Sequence, residues 1–385
     1  MKIASVEPLF VDKFLFAKIT TSDGIVGLGE SGAWGHLEAS AEAIRKFAEY
    51  LVGKDPRQIE HHWNVMYRFQ QFSGAAIGGA ISAIDVALWD IKGKHHGVPV
   101  YEMLGGAVRD KVRLYSHCKG KTPEHLLERA GILKGMGFNA LGYLNPLLEE
   151  GNAKPWFKTH ADKIGDATQN IAAVRHAVGS SVDICIELHN RMSPAEAITF
   201  GHMIREYLPM YIEDPIRPGN PDAMAWVADH MPVPIATGER FTNLQQFQTL
   251  LARRGAEFVR PCISVCGGIT AGKKIAALAE ACDAQVVFHN PLSPVNLAAC
   301  LQLDAAIPNF AIQEYVYESV DYEGRDGLRG ANVVEGLAAP EHGFLAIPQA
   351  PGLGVFIPED VPGRFPGKSL SVAMRAHVDG SMVDQ

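Results

Sequence analysis

The pattern of hydrophobic and polar positions changes its period along the first part of the chain. Residues 1–30 show strand patterns joined at Asp23-Gly24, a dipeptide that is the strongest short signal for a hairpin. From about residue 37 to 95, apolar residues recur with a helical period. One apolar helical face comprises Ile81, Ile84, Leu88 and Ile91. We therefore predict an α+β first domain over residues 1–110.

Short apolar runs alternate with helical patterns from residue 111 onwards. Eight such runs within about 200 residues favour a closed parallel barrel, or one that lacks its final helix, over an open sheet. The predicted strands are 112–115, 140–144, 182–187, 210–213, 234–237, 258–260, 285–289 and 311–314. We assign the barrel to residues 111–325. The remaining segment, 326–385, contains a Pro-Gly-Leu-Gly turn between apolar runs and is predicted to pack back on the first domain.

Composition and charge restrict the class of partner. The 385 residues are 47% hydrophobic and 20% charged, as in an ordinary α/β enzyme, and the net charge is −8 without a Lys/Arg block. A nucleic-acid or anionic-membrane binder would carry such a block, so neither partner is expected. The sequence has no secretory signal and no run of about 18 apolar residues. We predict a cytoplasmic protein with small-molecule partners and reduced cysteines.

Three carboxylates stand at the ends of three successive predicted strands. Glu187, Glu213 and Glu239 follow one another at intervals of 26 residues, and the carboxyl ends of parallel strands would bring them to one face of the barrel. Anions that converge in a low-dielectric site repel one another and require a compensating charge. Oxygen-only ligation suits Mg²⁺, whereas Zn²⁺ favours cysteine or histidine. The sequence therefore predicts a Mg²⁺ site; alternatively, each glutamate lies at the surface or pairs with a nearby arginine.

Two histidines and a fourth glutamate are predicted to lie beside this site. His189 comes two residues after Glu187, so an extended segment would point both side chains to the same face. His289 ends the seventh predicted strand, across the barrel mouth from the third. Two imidazoles that flank a substrate are able to act as general base and general acid, although each alone is as readily a structural residue. Glu314 is expected to hydrogen-bond an enolic oxygen if protonated, or else to pair with a cation.

The segment 145–165 is longer than most connections between a strand and a helix. It contains Trp156 and His160 and follows the second predicted strand, so it would hang over the metal site. We interpret it as a lid or specificity loop in which Trp156 or His160 contacts substrate. An equally good interpretation is an insertion that is disordered or contacts another subunit.

Motifs along almost the whole chain resemble the mandelate racemase subgroup of the enolase superfamily. They are Asp23-Gly24-Ile25-Val26-Gly27, Gly29-Glu30, the helix residues 82–94, Leu104-Gly105-Gly106, the three glutamates, Gly267-Gly268-Ile269-Thr270, His289 and Pro351 to Gly354. The resemblance implies a modified TIM barrel of the (β/α)7β type, with an α+β capping domain that the C-terminal segment completes. It also implies bound Mg²⁺, which stabilises the enediolate left when a base removes the α-proton of a carboxylic acid.

Within the superfamily, the run from Glu187 to Arg191 resembles acid-sugar dehydratases of the galactonate dehydratase type. This likeness implies a hydro-lyase that converts a sugar acid, such as an aldonate of the galactonate, gluconate or mannonate class, into a 2-keto-3-deoxy acid. His289 would remove the α-proton and His189 would assist loss of the β-hydroxyl. Glu314 would support the enediolate and Arg191 would bind substrate. The family also suggests a homo-oligomer.

Two positions depart from the family pattern. Members that use a lysine base carry Lys-x-Lys on the second strand, where this chain has Gly142 and Leu144, and this disfavours a lysine-dependent racemase. The seventh-strand histidine of the family is oriented by an aspartate at the end of the sixth strand, where Cys262 stands here. A thiol does not replace a carboxylate unless it is ionised. Two alternatives therefore stay open: an epimerase or racemase of a 2-hydroxy acid on the same metal site, and a member with lost or altered activity.

Overall fold

The first part of the chain forms a small antiparallel sheet. The structure is a computed structural model, which describes residues 1–69, 72–149, 151, 153–319 and 326–384. The sheet contains β1 (Ile3–Val11), β2 (Phe14–Thr21) and β3 (Val26–Ser31) in sequence order. The predicted hairpin joins β2 to β3, and its Gly24 has a φ of 81°, a value that favours glycine.

Helices cover one face of this sheet. They are α1 (Leu37–Leu51), α2 (Ile59–Arg68), α3 (Ala75–His96) and α4 (Val100–Met103). The four residues of the predicted apolar face all lie in α3 and are buried. The sheet approaches α3 so closely that a Cβ at Gly29 would lie 2.0 Å from the carbonyl oxygen of Ala83. Any larger residue there would push the helix off the sheet, so the close packing requires glycine.

Eight parallel strands follow and close into a barrel. They are β4 (Lys111–His117), β5 (Ala140–Leu144), β6 (Asp183–Glu187), β7 (Tyr211–Glu213), β8 (Ile235–Thr237), β9 (Phe258–Val259), β10 (Gln285–Val286) and β11 (Gln313–Tyr315). From β4 to β10 each strand pairs with the next, and β11 pairs with β4. A parallel bridge between Val286 and Phe310 closes the ring between β10 and the residues before β11. The α/β barrel fold predicted from the sequence is confirmed.

In the described part of the chain, seven α-helices connect these eight strands. They are α5 (Pro123–Gly135), α6 (His160–Val178), α7 (Pro194–Ile204), α8 (Pro221–His230), α9 (Leu244–Ala252), α10 (Gly268–Glu280) and α11 (Pro294–Ala306), and a 3₁₀ turn, Arg205–Tyr207, follows α7. Most begin at a Thr, Ser or Asn whose side chain accepts a backbone N–H of the first turn. Ser193 and Glu196 form a capping box at α7. The chain therefore has the (β/α)7β arrangement.

A layer of mostly apolar side chains fills the barrel below its mouth. One buried residue comes from each strand or its flank: Tyr115, Ala140, Cys185, Tyr211, Ala236, Phe258, Val287 and Ile312. The Tyr115 ring occupies so much of this space that a Cβ at Gly142 would lie 2.0 Å from its Cδ2 atom. The barrel interior is thus a packed core, and the polar residues lie above it, at the carboxyl ends of the strands.

The C-terminal segment returns to both the barrel and the first sheet. Its elements are β12 (Tyr317–Glu318), β13 (Gly327–Leu328), β14 (Phe344–Ala346) and α12 (Val361–Arg364). β14 pairs antiparallel with β4, while Leu353 N donates to Asp90 Oδ1 at 2.9 Å and Asp12 N donates to Phe365 O at 2.9 Å. The domain limits at residues 110 and 325 stay predictions. None of the helices in the described ranges is long and apolar enough to cross a membrane.

Candidate active site

Strand register brings two of the three predicted metal ligands together. Glu187 and Glu213 end β6 and β7 and are opposite one another in the parallel pairing. Glu239 comes two residues after β8, beyond Gly238, whose φ of 126° favours glycine. One carboxylate oxygen from each glutamate lies within 4.8 Å of the other two. The three side chains therefore form one cluster.

Uncompensated negative charge is unfavourable in this cluster. Burial, and then the charges of Glu213 and Glu239, raise the pKa of Glu187 well above its ordinary value. Burial likewise raises the pKa of Glu213, although the Arg260 guanidinium lowers it. A dication would remove the repulsion, and oxygen donors suit a hard cation. The three glutamates thus fit the divalent ion that the sequence predicts, with one oxygen from each as a ligand.

A buried arginine lies at the centre of the mouth, and no sequence motif marked it. Arg260 follows β9 and is 1% exposed. Its Nη2 lies 2.9 Å from Glu314 Oε2, its Nη1 donates to the Tyr115 hydroxyl at 2.8 Å, and its Nε contacts Glu213. The fixed fork of guanidinium donors suits this triple contact. Arg260 therefore holds two carboxylates in place and neutralises one charge.

Both predicted histidines reach the carboxylate of Glu239. His289 Nε2 lies 3.1 Å from Glu239 Oε2, and His189 Nε2 lies 3.8 Å from Oε1. His189 is not on the extended segment that the sequence predicted, because β6 ends at Glu187 and the φ of His189 is 51°. A left-handed turn, rather than strand alternation, brings its imidazole to the site. Burial lowers the pKa of His189 to about 4, although the charge of Glu239 raises it.

The sequence predicts that Glu314 either donates to an enolic oxygen or pairs with a cation. In the structure, the carboxylate of Glu314 has cationic neighbours. Its Oε1 lies 2.6 Å from His117 Nε2, and its Oε2 accepts the backbone N–H of Asn290 at 2.7 Å as well as the contact from Arg260. Burial raises the pKa of Glu314, but Arg260 and the His117 hydrogen bond together hold it well below its ordinary value. A protonated Glu314 that donates to an enolic oxygen is therefore not favoured here.

A cavity of about 660 Å³ lies between the barrel mouth, the first domain and the C-terminal segment. Of the predicted site residues, His189, Glu239, His289 and Glu314 line it, whereas Glu187 and Glu213 do not. The barrel also contributes Arg240 and Arg260, together with three side chains that no sequence motif indicated: His117, Lys119 and Tyr143. Trp34 and Ala75 line it from the first domain, and Arg329, Leu370 and Met374 line it from the C-terminal segment. The cavity is therefore shared by three parts of the chain, as expected for an enclosed small-molecule site.

Comparison with known families agrees with this architecture. Residues 4–105 match the family described as mandelate racemase / muconate lactonizing enzyme, N-terminal domain, and residues 147–361 match the one described as enolase C-terminal domain-like. The chain belongs to the mandelate racemase subgroup of the enolase superfamily. The resemblance drawn from sequence motifs is thereby confirmed.

Individual members of the superfamily cover nearly the whole chain. A D-galactonate dehydratase from Ralstonia pickettii (strain 12J) is 36% identical over 350 residues, which are 90% of this chain and 89% of that protein. Another from Xanthomonas campestris pv. campestris (strain B100) is 34% identical over 376 residues, 97% and 96% of the two chains. The solved structure of an enolase from Agrobacterium radiobacter, with bound Na and L-malate, has a TM-score of 0.90 at 29% identity and full coverage of both chains, 100% each. These relatives confirm the predicted enzyme class, a carbon–oxygen lyase of the dehydratase type.

The two departures from the superfamily pattern have structural counterparts. Gly142 faces the Tyr115 ring inside the barrel and Leu144 lies in the outer core, so neither occupies the mouth. A bulge between Leu141 and Leu144 and a φ of 43° at Tyr143 turn the Tyr143 ring into the cavity instead. A bulge of this kind has no local sequence signal, which explains why the residue was missed.

Cys262 stands where the family pattern described above predicts a carboxylate partner for His289. Cys262 is buried, and burial raises the pKa of its thiol well above the ordinary value, so the thiol is neutral at pH 7. Nδ1 of His289 is buried and has no hydrogen-bond partner among the described residues. Its other ring nitrogen faces Glu239. The carboxylate that His289 contacts is thus a predicted metal ligand.

The predicted substrate-binding residues lie outside the cavity lining. Trp156 exchanges backbone hydrogen bonds with Ala376 and Val378, and its ring packs against His377 at 5.3 Å. His160 begins α6, is exposed, and lies 3.7 Å from Glu196. Arg191 lies 3.8 Å from Glu149. In the described part of segment 145–165, Trp156 ties the loop to the C-terminal segment. Substrate binding by Trp156, His160 and Arg191 stays a prediction.

Proposed function

We propose that the protein is a Mg²⁺-dependent dehydratase of a sugar acid. The observation that carries this proposal is the cluster of Glu187, Glu213 and Glu239 with two imidazoles on Glu239. Glu239 and both imidazoles line a cavity to which three parts of the chain contribute. The D-galactonate dehydratase relatives, at 36% and 34% identity, support an aldonate as the substrate.

The three glutamates would hold the cation, which supplies positive charge for a substrate carboxylate whose negative charge increases when the α-proton leaves. The protein's own groups would orient the acid and move the protons. His189 lies beside Glu239 and lines the cavity, so it is suited to protonate a departing β-hydroxyl. An imidazole on another side of the mouth would remove the α-proton, and the sequence predicts His289 for this step. Arg260 and Glu314, which contact each other, would form the polar base of the cavity.

The reaction balances without an added oxidant or reductant. The C–H bond at the α-carbon breaks, its proton moves to an imidazole nitrogen, and its electron pair enters the carboxylate as an enediolate. The β C–O bond then breaks with a proton from the imidazolium form of His189, so that the hydroxyl leaves as water and the neutral imidazole remains. The resulting enol takes up a proton at the β-carbon and becomes a 2-keto-3-deoxy acid.

A screen of aldonic and aldaric acids with Mg²⁺ tests this proposal. D-galactonate, D-gluconate, D-mannonate and galactarate would be incubated in D₂O, and 2-keto acid and α-deuterium would be measured in the same samples. We expect keto acid from at least one aldonate. Deuterium exchange without keto acid would replace dehydration by epimerisation or racemisation. Binding without either product would indicate a member that has lost its activity.

Partners and location follow from the same proposal. We infer that the small-molecule partner is the acid sugar, that the chain assembles as a homo-oligomer, and that it works in the cytoplasm. Sedimentation velocity at micromolar concentration tests the assembly, because a monomer mass near 41.7 kDa would contradict it.

A further inference from the structure

The C-terminal segment runs along the cavity between two anchored ends. We call residues 368–376 the strap. At its start, Lys368 N donates to Asp12 O at 2.7 Å, and Lys368 Nζ lies 2.6 Å from Asp12 Oδ1. Near its end, Arg375 Nε donates to Lys154 O at 2.9 Å. One end of the strap is therefore held by the first domain and the other by the loop after β5.

The middle of the strap is held less firmly than its ends. The backbone of residues 370–374 makes no backbone hydrogen bond with the described part of the chain. Val372 is fully exposed, and Leu370 and Met374 are 45% and 48% exposed. Unpaired backbone groups and few buried contacts are typical of segments that open at a low cost in free energy. The strap is therefore suited to move aside for a ligand and to close over it.

Two side chains of the strap reach the cavity. Leu370 and Met374 line it, whereas Val372 between them does not. About half of each lining side chain is exposed, so a ligand in the cavity would cover further apolar surface. Neither side chain has an N–H or O–H group that could donate to a carboxylate. They are therefore suited to contact an uncharged part of a substrate.

The first domain adds uncharged residues to the same lining. They are Gly32, Ala33, Trp34, Gly35 and Ala75. Among the described residues, neither the first domain nor the strap contributes a charged side chain to the cavity. The glutamates and imidazoles of the site come from the barrel. The cavity therefore has a charged side, formed by the barrel, and an apolar side, formed by the first domain and the strap.

The cations of the cavity belong to neither the first domain nor the strap. They are Lys119, Arg240, Arg260 and Arg329. Arg240 Nε lies 3.4 Å from Glu239 Oε1, and Arg260 has two carboxylate partners. Arg329 Nε lies 2.7 Å from Glu318 Oε1. Lys119 follows β4, on the barrel side. A second substrate carboxylate against the strap would lose water without gaining a cation, which is unfavourable.

We propose that Leu370 and Met374 are specificity-determining residues, and that the strap closes over the uncharged end of a monocarboxylic sugar acid. This assignment rests on the proposed dehydratase function and adds the class of acid, because an aldonate is favoured over the corresponding aldarate. The substrate carboxylate would bind at the glutamate cluster, and its carbon chain would extend towards the strap. Leu370 and Met374 would then exclude water from the reacting end.

The test compares Leu370→Ala and Met374→Ala with the wild type and with the control Val372→Ala. Matched substrates are D-galactonate with galactarate, D-gluconate with D-glucarate, and D-mannonate with D-mannarate, because each pair differs only at the carbon remote from the reacting carboxylate. Formation of keto acid with Mg²⁺ gives kcat/KM. We expect each lining variant to lower kcat/KM for the preferred aldonate by about 10-fold or more, since apolar contacts are lost. Val372→Ala should match the wild type.

A third variant separates specificity from general damage to the site. Leu370→Lys places a cation on the apolar side of the cavity, where a second carboxylate would lie. We expect the ratio of kcat/KM for the aldarate to that for the aldonate to rise by about 10-fold, because the new charge distinguishes the two acids. Damage without a role in specificity would lower both values and leave the ratio unchanged, and that result would contradict contact with the remote end.

The outcomes separate this assignment from the proposed function. Lining variants that match Val372→Ala overturn the role of Leu370 and Met374, while dehydration by the wild type still stands. A wild type that prefers an aldarate to its aldonate overturns the monocarboxylic class alone. If the wild type converts none of the acids, the dehydratase proposal fails, and hydrogen exchange then decides whether the strap closes over an acid.

Amide hydrogen exchange of the strap does not depend on turnover. Exchange of the C-terminal peptide would be followed by mass spectrometry in the wild type with Mg²⁺, with and without each acid. The amides of residues 370–374 should exchange rapidly without an acid, because none of them donates to the backbone of the described residues. Slower exchange of these amides with an aldonate supports closure. Equal exchange with and without every acid overturns it.

Discussion

Arg260 carries a charge into the most buried part of the site. It is 1% exposed and contacts Glu213, Glu314 and the Tyr115 hydroxyl. Burial lowers the pKa of this guanidinium, but the charges of Glu213, Tyr115 and Glu314 together raise it well above its ordinary value. Removal of one member of a buried ionic group leaves the others without compensation. Arg260 should therefore matter for stability as well as for the geometry of Glu314.

We predict that Arg260→Met lowers the free energy of unfolding by about 3–5 kcal/mol in EDTA, because two carboxylates lose their shared partner. Urea denaturation at pH 7 measures this change. Arg57→Met is the matched control, since Arg57 pairs with Asp55 at the surface, where an ion pair contributes little to stability. Equal effects of the two substitutions would contradict a structural role for the buried ion group.

The sequence predicted some residues of the site and missed others. The three glutamates and His289 stand where predicted strands end, and strand ends are where a barrel places its chemistry. His117 was missed because the first strand was predicted to stop at residue 115, whereas β4 continues to His117. Arg260 was visible at the end of a predicted strand. Its partners come from β4, β7 and β11, and no local pattern specifies which strands meet across a barrel.

At the scale of elements, the eight strands could be predicted because a parallel barrel buries short apolar runs on both faces. Their ends could not be fixed to better than a few residues, since burial continues into the turns. The bulge in β5 was not predicted. It interrupts the register between Leu141 and Leu144 and so decides that Tyr143, rather than Gly142 or Leu144, faces the cavity.

The close packing between β4 and β5 can be tested by the addition of one methyl group at position 142. We predict that Gly142→Ala destabilises the protein by about 1–3 kcal/mol, because its Cβ would lie 2.0 Å from the Tyr115 ring. Gly131 is the control, since it lies in α5, where a Cβ would meet nothing within 4 Å, and Gly131→Ala should stabilise by up to about 1 kcal/mol. Thermal denaturation of both variants distinguishes packing from backbone propensity. A stable Gly142→Ala would show that the interior has free space.

At the scale of the whole molecule, buried carboxylates of the first domain hold the other parts of the chain. Glu30 accepts the backbone N–H groups of Ser293 and Asn296 at the start of α11. Asp85 accepts the N–H and hydroxyl of Thr270 in the first turn of α10. Asp90 accepts the N–H of Leu353 in the C-terminal segment. The first domain is therefore attached by buried hydrogen bonds as well as by apolar contact.

We predict that this attachment weakens at alkaline pH. Burial raises the pKa of Glu30 from 4.5 to about 8, against the lowering effect of its hydrogen bonds from Ser293 and Asn296. The stability that this group contributes is thus fully present below pH 4.5 and is lost as pH rises through about 8. Melting temperatures from about pH 5 to 9 should show Glu30→Gln gaining relative to wild type as pH increases. A difference that does not change with pH would refute the titration of Glu30.

Cation binding should be visible in the stability of the whole molecule. We predict that Mg²⁺ at 100 times its Kd stabilises the wild type by about 2.7 kcal/mol. Glu187→Gln should lose most of this gain and should be more stable than wild type in EDTA, because burial and repulsion disfavour the Glu187 charge. Thermal denaturation with and without Mg²⁺ measures both effects. Glu206→Gln, at an exposed position, should respond to Mg²⁺ as the wild type does.

The contact between Gly142 and the Tyr115 ring also limits how this enzyme can diverge. A lysine base at position 142 would have to displace the ring, whose hydroxyl accepts a hydrogen bond from Arg260. A direct change to lysine should therefore yield an unstable protein, and a smaller residue at 115 would have to come first. That first change leaves Arg260 with one acceptor fewer. The route from this scaffold to a lysine-dependent racemase is thus epistatic, and the order of its mutations is restricted.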